Sequence, residues 1–275
     1  MLTALQDKAQ LTSWLQQDPG RYLCELGDLD PFFWPYTRWW GWSEAGEITA
    51  LALCYTGDPT PVLLLNSPAP ASAPLLQALL DLQTGPLSLP CYAHLAPGLL
   101  ESLPPGRHFQ GGKAHLHMVL QADALPEPTQ PEDLRLRILK PGDAGTVQLF
   151  LQEHYPDNWF NPRMLTSAAY LGLFRPENGL VAVAGVHVYS PSYGVAALGN
   201  IAVHTHWRGR GLGLFLTTAL CQLLLARGMT RIGLNVAEAN GTAQHVYQAA
   251  GFSTHARYQE CLLQAASLQD KSTHR

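Results

Sequence analysis

The residues best suited to chemistry lie at positions 200–213, with the sequence NIAVHTHWRGRGLG. A β-rich run ends near Val203, and Arg208, Gly211 and Gly213 precede a long apolar run that reads as a helix. Gly209, Gly211 and Gly213 offer backbone N–H groups without Cβ hindrance. They stand where a helix N-terminus presents free donors and a partial positive charge. Arg208 and Arg210 add full charges, and the combination makes a site for a diphosphate. Two other phosphate loops are excluded. No Lys follows these glycines as a Walker loop requires, and Leu216 stands where a dinucleotide fingerprint starting at Gly211 needs its third glycine. The plainer alternative is a glycine-rich turn with solvated arginines.

A second group follows at 234–252. Asn240 suits a helix N-cap, and Ala243, Val246 or Tyr247, and Ala250 recur at helical spacing on one face. Asn240 either caps only or also touches a ligand. Tyr247 is either a core aromatic or a phenol beside the reactive end of whatever the loop holds. His115 with His117, and His204 with His206, have strand spacing that would put two imidazoles on one face. No third ligand follows from sequence, so no metal is expected. The five cysteines (Cys24, Cys54, Cys91, Cys221, Cys261) are odd in number and lack C-x-x-C spacing, which reads as free thiols in a reducing cytosol.

These groups need strands and helices to hold them. In the second half, 134–139 reads as a strand and 141–154 as a helix opened by Pro141. An aromatic loop follows at 155–164. Strands are expected at 170–174, 180–189 and 195–203, with turns at 176–179 and 190–194. A helix at 212–227 is ended by Gly228 as a left-handed cap. A buried strand at 231–236, a short helix at 240–250 stopped by Gly251, and final strands in 252–263 complete the half. In the first half, strands are expected at 47–55, 61–66, 87–92 and 114–120, and a helix at 74–82. The order echoes the second half, as do Glu44-Ala45-Gly46 and Glu177-Asn178-Gly179. Residues 121–133 (QADALPEPTQPED) read as a Pro-rich linker between domains at 1–120 and 134–275.

The 275 residues are 47% hydrophobic and 14% charged, with a net charge of -4. That excludes a disordered chain and broad adhesion to nucleic acid or anionic membrane. No apolar run reaches the roughly 20 residues of a membrane span, and the N-terminus has no export signal, so a cytoplasmic protein is expected.

Arg208-x-x-Gly211-x-Gly213 together with Leu234-x-Val236-x-x-x-Asn240-x-x-Ala243-x-x-x-Tyr247-x-x-x-Gly251-Phe252 resembles the GNAT acetyltransferase superfamily over roughly 134–263. The resemblance implies an α/β fold with a mixed, V-shaped sheet splayed between its fourth and fifth strands, flanked by helices, and acetyl-CoA or another acyl-CoA as cosubstrate. It implies that backbone of Ile201, Ala202 and Val203 pairs with the pantetheine and supplies an oxyanion donor. The diphosphate would sit on amides of Gly209, Arg210, Gly211, Leu212 and Gly213, with Arg208 and Asn240 completing the cofactor site. Tyr247 would protonate the leaving thiolate. The implied reaction is direct transfer of an acetyl group to a primary amine of a small molecule or peptide. The family often uses a Glu on its central strands as base, and none stands between residues 180 and 207. His187, Glu153 and His154 remain candidates. Tyr155, Trp159 and Phe160 could line the acceptor pocket or cover a domain junction.

Where a repeated fold would carry its phosphate loop, the first half has Pro68, Pro70 and Pro74 and neither Gly nor Arg. Prolines remove backbone donors, so this half is expected to be a GNAT-like domain that lost CoA binding, or else an unrelated α/β domain. Its aromatic run at 32–42 reads as interface core or a substrate wall. Two other functions stay open on this reading, a CoA-binding regulatory module without turnover and an interaction scaffold. Oligomeric state is not readable.

Overall fold

The computed structural model describes residues 1–81, 83–104, 107–177 and 179–265. In chain order its elements are β1 (Leu2–Leu5), α1 (Lys8–Leu15), α2 (Leu23–Asp28), β2 (Thr37–Glu44), β3 (Glu47–Tyr55), β4 (Val62–Leu65), α3 (Ala69–Leu79), β5 (Cys91–Leu95) and β6 (Arg107–Leu120). The chain continues through β7 (Arg135–Ile138), α4 (Ala144–His154), β8 (Leu171–Phe174), β9 (Leu180–Ser190), β10 (Val195–Val203), α5 (Leu212–Ala226), β11 (Arg231–Ala237), α6 (Gly241–Ala249) and β12 (Phe252–Ala265). The elements divide into two compact units. One holds Met1–Asp18, Pro31–His115 and Arg257 onward, and the other Pro19–Asp30 and Leu116–Ala256.

The second unit orders its strands β11-β10-β9-β8-β7, with the C-terminal end of β6 beside β11. Pairing is antiparallel from β7 to β10 and parallel between β10 and β11. A parallel pair needs a crossover, and α5 supplies it. α5 buries Leu212, Leu216, Leu220 and Leu224 in the core that also takes Leu198 of β10 and Leu234 of β11. Gly228 ends the helix at φ 84° and Gly251 stops α6 at φ 93°, the left-handed values their positions predict.

This unit differs from the expected 134–275 domain and 121–133 linker: it takes in α2 and residues 116–133, while β12 from Arg257 belongs to the first unit. Gly27 lets that helix lie close to the sheet, because a Cβ there would stand 2.0 Å from Val188 and 3.5 Å from Val195. A Cβ on Gly233 would meet Leu23 at 3.0 Å. Just past the helix, Asp30 accepts a 2.9 Å hydrogen bond from Ser190.

The first unit orders its strands β1-β2-β3-β4-β5-β12. Its β2-β3-β4 antiparallel run, α3 crossover and parallel β5 repeat the connectivity of β8-β9-β10, α5 and β11. Here the parallel pair stays closed: β4 is paired to its last residue, Leu65 against Leu95. Trp39 and Trp40, from the aromatic run, are buried on β2, and Lys8 lies 4.4 Å above the Trp34 ring. Phe32 and Tyr36 of the same run are exposed.

Four segments depart from expectation. Residues 69–74, expected as loop, are the first turns of α3, which ends at Leu79. Pro70 is tolerated there because it stands in the first turn, where its missing N–H leaves nothing unsatisfied, and Ala71 and Ser72 both donate to the Pro68 carbonyl; Pro74 lies inside the helix. The strand expected at 87–92 starts only at Cys91, past the donor-less Pro90. β6 begins seven residues before position 114, and 252–265 is one strand rather than several. Two expectations, the end of the first-half helix at Leu82 and the echo at Asn178, include residues outside the described set.

Candidate functional site

β10 carries the site because it is irregular on both edges. Its ladder with β11 runs from Val195–Arg231 to Leu198–Leu234 and stops, although β10 continues to Val203 and β11 to Ala237. The sheet therefore parts between its fourth and fifth strands, and one edge of 199–203 faces the gap. On the β9 side, Gly199 pairs with Gly185 but Ala202 pairs with Val183, so β10 has one extra residue between them. A bulge of this kind bends a strand and re-aims its groups.

Asn200 occupies the bulge at φ 53°, a conformation Asn tolerates better than most residues. Its side chain is locked by a chain of hydrogen bonds. The Tyr170 hydroxyl donates to the Val186 carbonyl at 3.0 Å, so its oxygen must accept, and Asn200 Nδ2 donates to it at 2.9 Å. Both Asn200 and Tyr170 are buried. Burial pushes the Tyr170 phenol well above its ordinary pKa, which keeps its donor proton in place. Gly185 makes room for the ring, since a Cβ there would lie 2.0 Å from it. Neither composition nor period signals this lock, although Asn200 opens the 200–213 stretch.

After Val203 a short 3-10 turn, Thr205–Trp207, leads into the glycine loop. Gly209 and Gly211 have φ 75° and 73°, and no described heavy atom lies within 4 Å of a Cβ built on either. Backbone conformation, not space, selects glycine there. Phe215 donates the first helical bond of α5, to Gly211 at 3.0 Å. The amides of Leu212, Gly213 and Leu214 precede it and have no acceptor in the helical ladder. They form an anion-seeking end at the point where β10 delivers the chain.

The two arginines behave differently from each other. Arg208 folds back, donating from Nε to the Val203 carbonyl and from Nη2 to the His154 carbonyl, each at 3.2 Å. Its side chain clamps the turn to β10 and α4, and its charge stays beside the loop. Arg210 is exposed and lies 4.7 Å above the Trp207 ring.

α6 closes the other side. A Cβ on Gly213 would stand 3.9 Å from both Val203 and Val246, so β10, α5 and α6 converge at one place. Asn240 Oδ1 caps α6 by accepting from Ala243 N–H at 3.1 Å, which commits that oxygen to the helix. Gln244 ties α6 to the end of β11 through the Ala237 and Glu238 carbonyls. Tyr247 is half-buried, edge-on to Phe252 at 6.2 Å. Burial, and secondarily the nearby Tyr155 phenol at the end of α4, raise its pKa. Tyr247 is therefore a neutral phenol at physiological pH.

Neither histidine pair acts as a unit toward one point. His115 faces Glu260 at 3.5 Å, whereas His117 Nδ1 meets Asn235 Oδ1 at 2.5 Å. His204 and His206 lie on the 3-10 turn, not on a strand, and the His204 ring is 4.2 Å from His154 and 5.4 Å from His206. Burial first, then His204, lowers the His154 pKa. Among the described residues no group of three His, Cys, Asp or Glu could hold a metal ion.

A mixed sheet parted after its fourth strand, with a glycine loop and a free helix N-terminus at the parting, defines the GNAT acyltransferase fold. Residues 142–252, from just before α4 to the start of β12, match the model of the acetyltransferase (GNAT) family. A mycothiol acetyltransferase of Thermomonospora curvata is 26% identical over 201 residues, 66% of this chain and 65% of that relative. Among solved structures, a Drosophila protein superposes with a TM-score of 0.74 at 16% identity, over 97% of this chain and 99% of that one. A tandem GNAT protein from the clavulanic acid biosynthesis pathway superposes with a TM-score of 0.57 at 18% identity, over 98% and 99%. At these identities the structures speak to fold alone. They extend the GNAT-like fold to the N-terminal half, as the repeated connectivity of the first unit does.

Proposed function

We propose that the chain is an acetyl-CoA-dependent N-acetyltransferase that acetylates a primary amine of a small molecule or peptide, working in the cytoplasm. The observation that carries this reading is the free edge of β10 at 199–203, ending at the N-terminus of α5. The edge presents backbone groups at the spacing an extended amide chain needs, and pantetheine is such a chain. The amides of 209–213 would hold the diphosphate, in part through the donors orphaned at the start of α5. Arg208 and Arg210 add positive charge nearby. Asn240 retains its amide nitrogen for the cofactor side of α6.

Acetyl-CoA supplies the acyl group as a thioester. A backbone N–H of 201–203, exposed by the splay, would stabilise the oxyanion at the acyl carbonyl. Tyr247 would give its phenolic proton to the departing sulfur. Reference values of about 10 for a phenol and about 8.5 for a thiol make that transfer uphill by about 2 kcal/mol. Burial lifts the phenol further, and a thiolate formed beside it suffers the same desolvation, so the difference between the two governs the step. The closed β4–β5 pair explains why the first unit would not share this role: it has no parted edge and no glycine loop.

The test is release of free thiol from acetyl-CoA with a panel of amines, namely an amino sugar, a polyamine, amino acids and a peptide N-terminus. Turnover with one class is expected. Tyr247→Phe should keep acetyl-CoA affinity within about twofold and lower turnover about a hundredfold. Binding without turnover of any amine would leave a CoA-binding regulatory module instead.

A further inference from the structure

The reaction above needs a group to take the proton of the acceptor amine, and the GNAT domain has no Glu on β9 or β10. Resting on that reading, we propose that His187 is the general base.

Three observations converge on it. First, His187 is itself a bulge residue. Ala197 pairs with Val188 and Leu198 with Val186, so the β9 ladder steps over His187 and frees it from the strand's alternation. Second, its ring lies over Gly199, where a Cβ would stand 2.3 Å from Nε2 and 2.4 Å from the neighbouring ring carbons. Gly199 is the first residue of β10 beyond the β11 ladder and the one before the Asn200 bulge. The imidazole therefore sits where the sheet parts, beside the strand edge that holds the thioester. Third, β9 is buried from Val181 to Val188 except at His187, which is partly exposed although its Nε2 is buried. The other two candidates fail on the same terms. The Glu153 side chain is 75% exposed at the end of α4. The His154 ring is buried between Phe150, at 4.7 Å, and His204.

The step balances as follows. The amine lone pair forms the C–N bond at the acyl carbon, and its surplus proton passes from nitrogen to the neutral His187 imidazole. The C–S bond breaks with its electron pair going to sulfur, which takes the Tyr247 proton. His187 then releases its proton to solvent, and the Tyr247 phenolate recovers one.

Variants at His187 and Gly199 test the assignment against the amine that wild type acetylates fastest. His187→Gln should bind acetyl-CoA within about twofold of wild type and lose about 10²–10⁴ in turnover, the usual contribution of a general base. Added imidazole should restore part of that turnover to His187→Ala and none to Tyr247→Phe. Gly199→Ala keeps the imidazole but displaces it, and should lose turnover comparably. Unchanged turnover in folded His187→Gln, shown by a wild-type melting profile and acetyl-CoA affinity, would overturn the role while leaving the acetyltransferase reading intact. Should His187→Gln fail to fold, Gly199→Ala decides alone: full activity there overturns the proposal. Wild type that binds acetyl-CoA but acetylates no amine would overturn both.

Discussion

Replacing Gly211 with Ala separates the two things that glycine does in the loop. The residue is the N-cap of α5 at φ 73° and ψ 1°. A methyl there meets no described atom within 4 Å, so sterics within the fold add nothing. The cost is conformational: an L-residue held in the left-handed region loses about 1–2 kcal/mol. If the turn holds its shape, the melting temperature of a domain this size should fall by about 2–8 °C with acetyl-CoA affinity nearly kept. If the turn relaxes to negative φ, the amides of Leu212 and Gly213 rotate away from the anion. Each bond to a charged group is worth about 1.5–3 kcal/mol, so affinity should then drop at least tenfold. Thermal unfolding and calorimetry with acetyl-CoA read both outcomes on one preparation. Gly145→Ala is the control. Gly145 lies in the first turn of α4 with open space around its Cβ, so the change should stabilise by up to about 1 kcal/mol and leave affinity unchanged. If Gly211→Ala matches that control in both readouts, the argument that this turn needs glycine to present its amides is refuted.

Other outcomes follow from the same geometry. Tyr170→Phe strips a partner from both the Val186 carbonyl and the Asn200 amide, and should cost about 1–3 kcal/mol in chemical unfolding and lower turnover. Asn200→Ala should do much the same, and the double variant little more, because the two side chains act as one lock. Asp28, buried in α2, has its pKa raised, first by burial and then by Glu25. Its native state binds a proton that the unfolded state has lost, so stability falls as pH rises from the usual carboxylate value of about 3.9 toward the raised one. Asp28→Asn should therefore raise the melting temperature at pH 7 and change it little below pH 4; equal shifts at both values would contradict the sign.

The legible parts of the molecule were those where local chemistry and tertiary role agree. Gly228 and Gly251 were readable as helix ends because only a residue without Cβ takes φ near 90° cheaply. The loop at 208–213 was readable as a turn because its glycines, which take positive φ, stand between the end of a strand and the start of a helix. α2 was not readable. It is six residues long, and it buries Glu25 at 2% exposure and Asp28 at 6%, so polar residues stand where a pattern reader expects solvent. Its place in the second unit depends on Gly27 and Val188, 161 positions apart in the chain. The start of α3 is not legible in the sequence because its prolines read as breakers, whereas Pro68 and Pro70 fall at the cap and in the first turn. The candidate site was half visible. Tyr247 and the glycines announced themselves by spacing, but the two bulges that free His187 and Asn200 from their strands follow from pairing register, which one chain read in one dimension does not contain.

Amide hydrogen exchange with and without acetyl-CoA addresses the central claim at its own atoms. Addition of acetyl-CoA should slow exchange at the amides of 199–203 and 209–214, and leave β4 and the start of α3 unchanged. Slowing confined to the first unit, or none anywhere at saturating acetyl-CoA, would contradict the claim that the parted edge of β10 and the N-terminus of α5 grip the thioester.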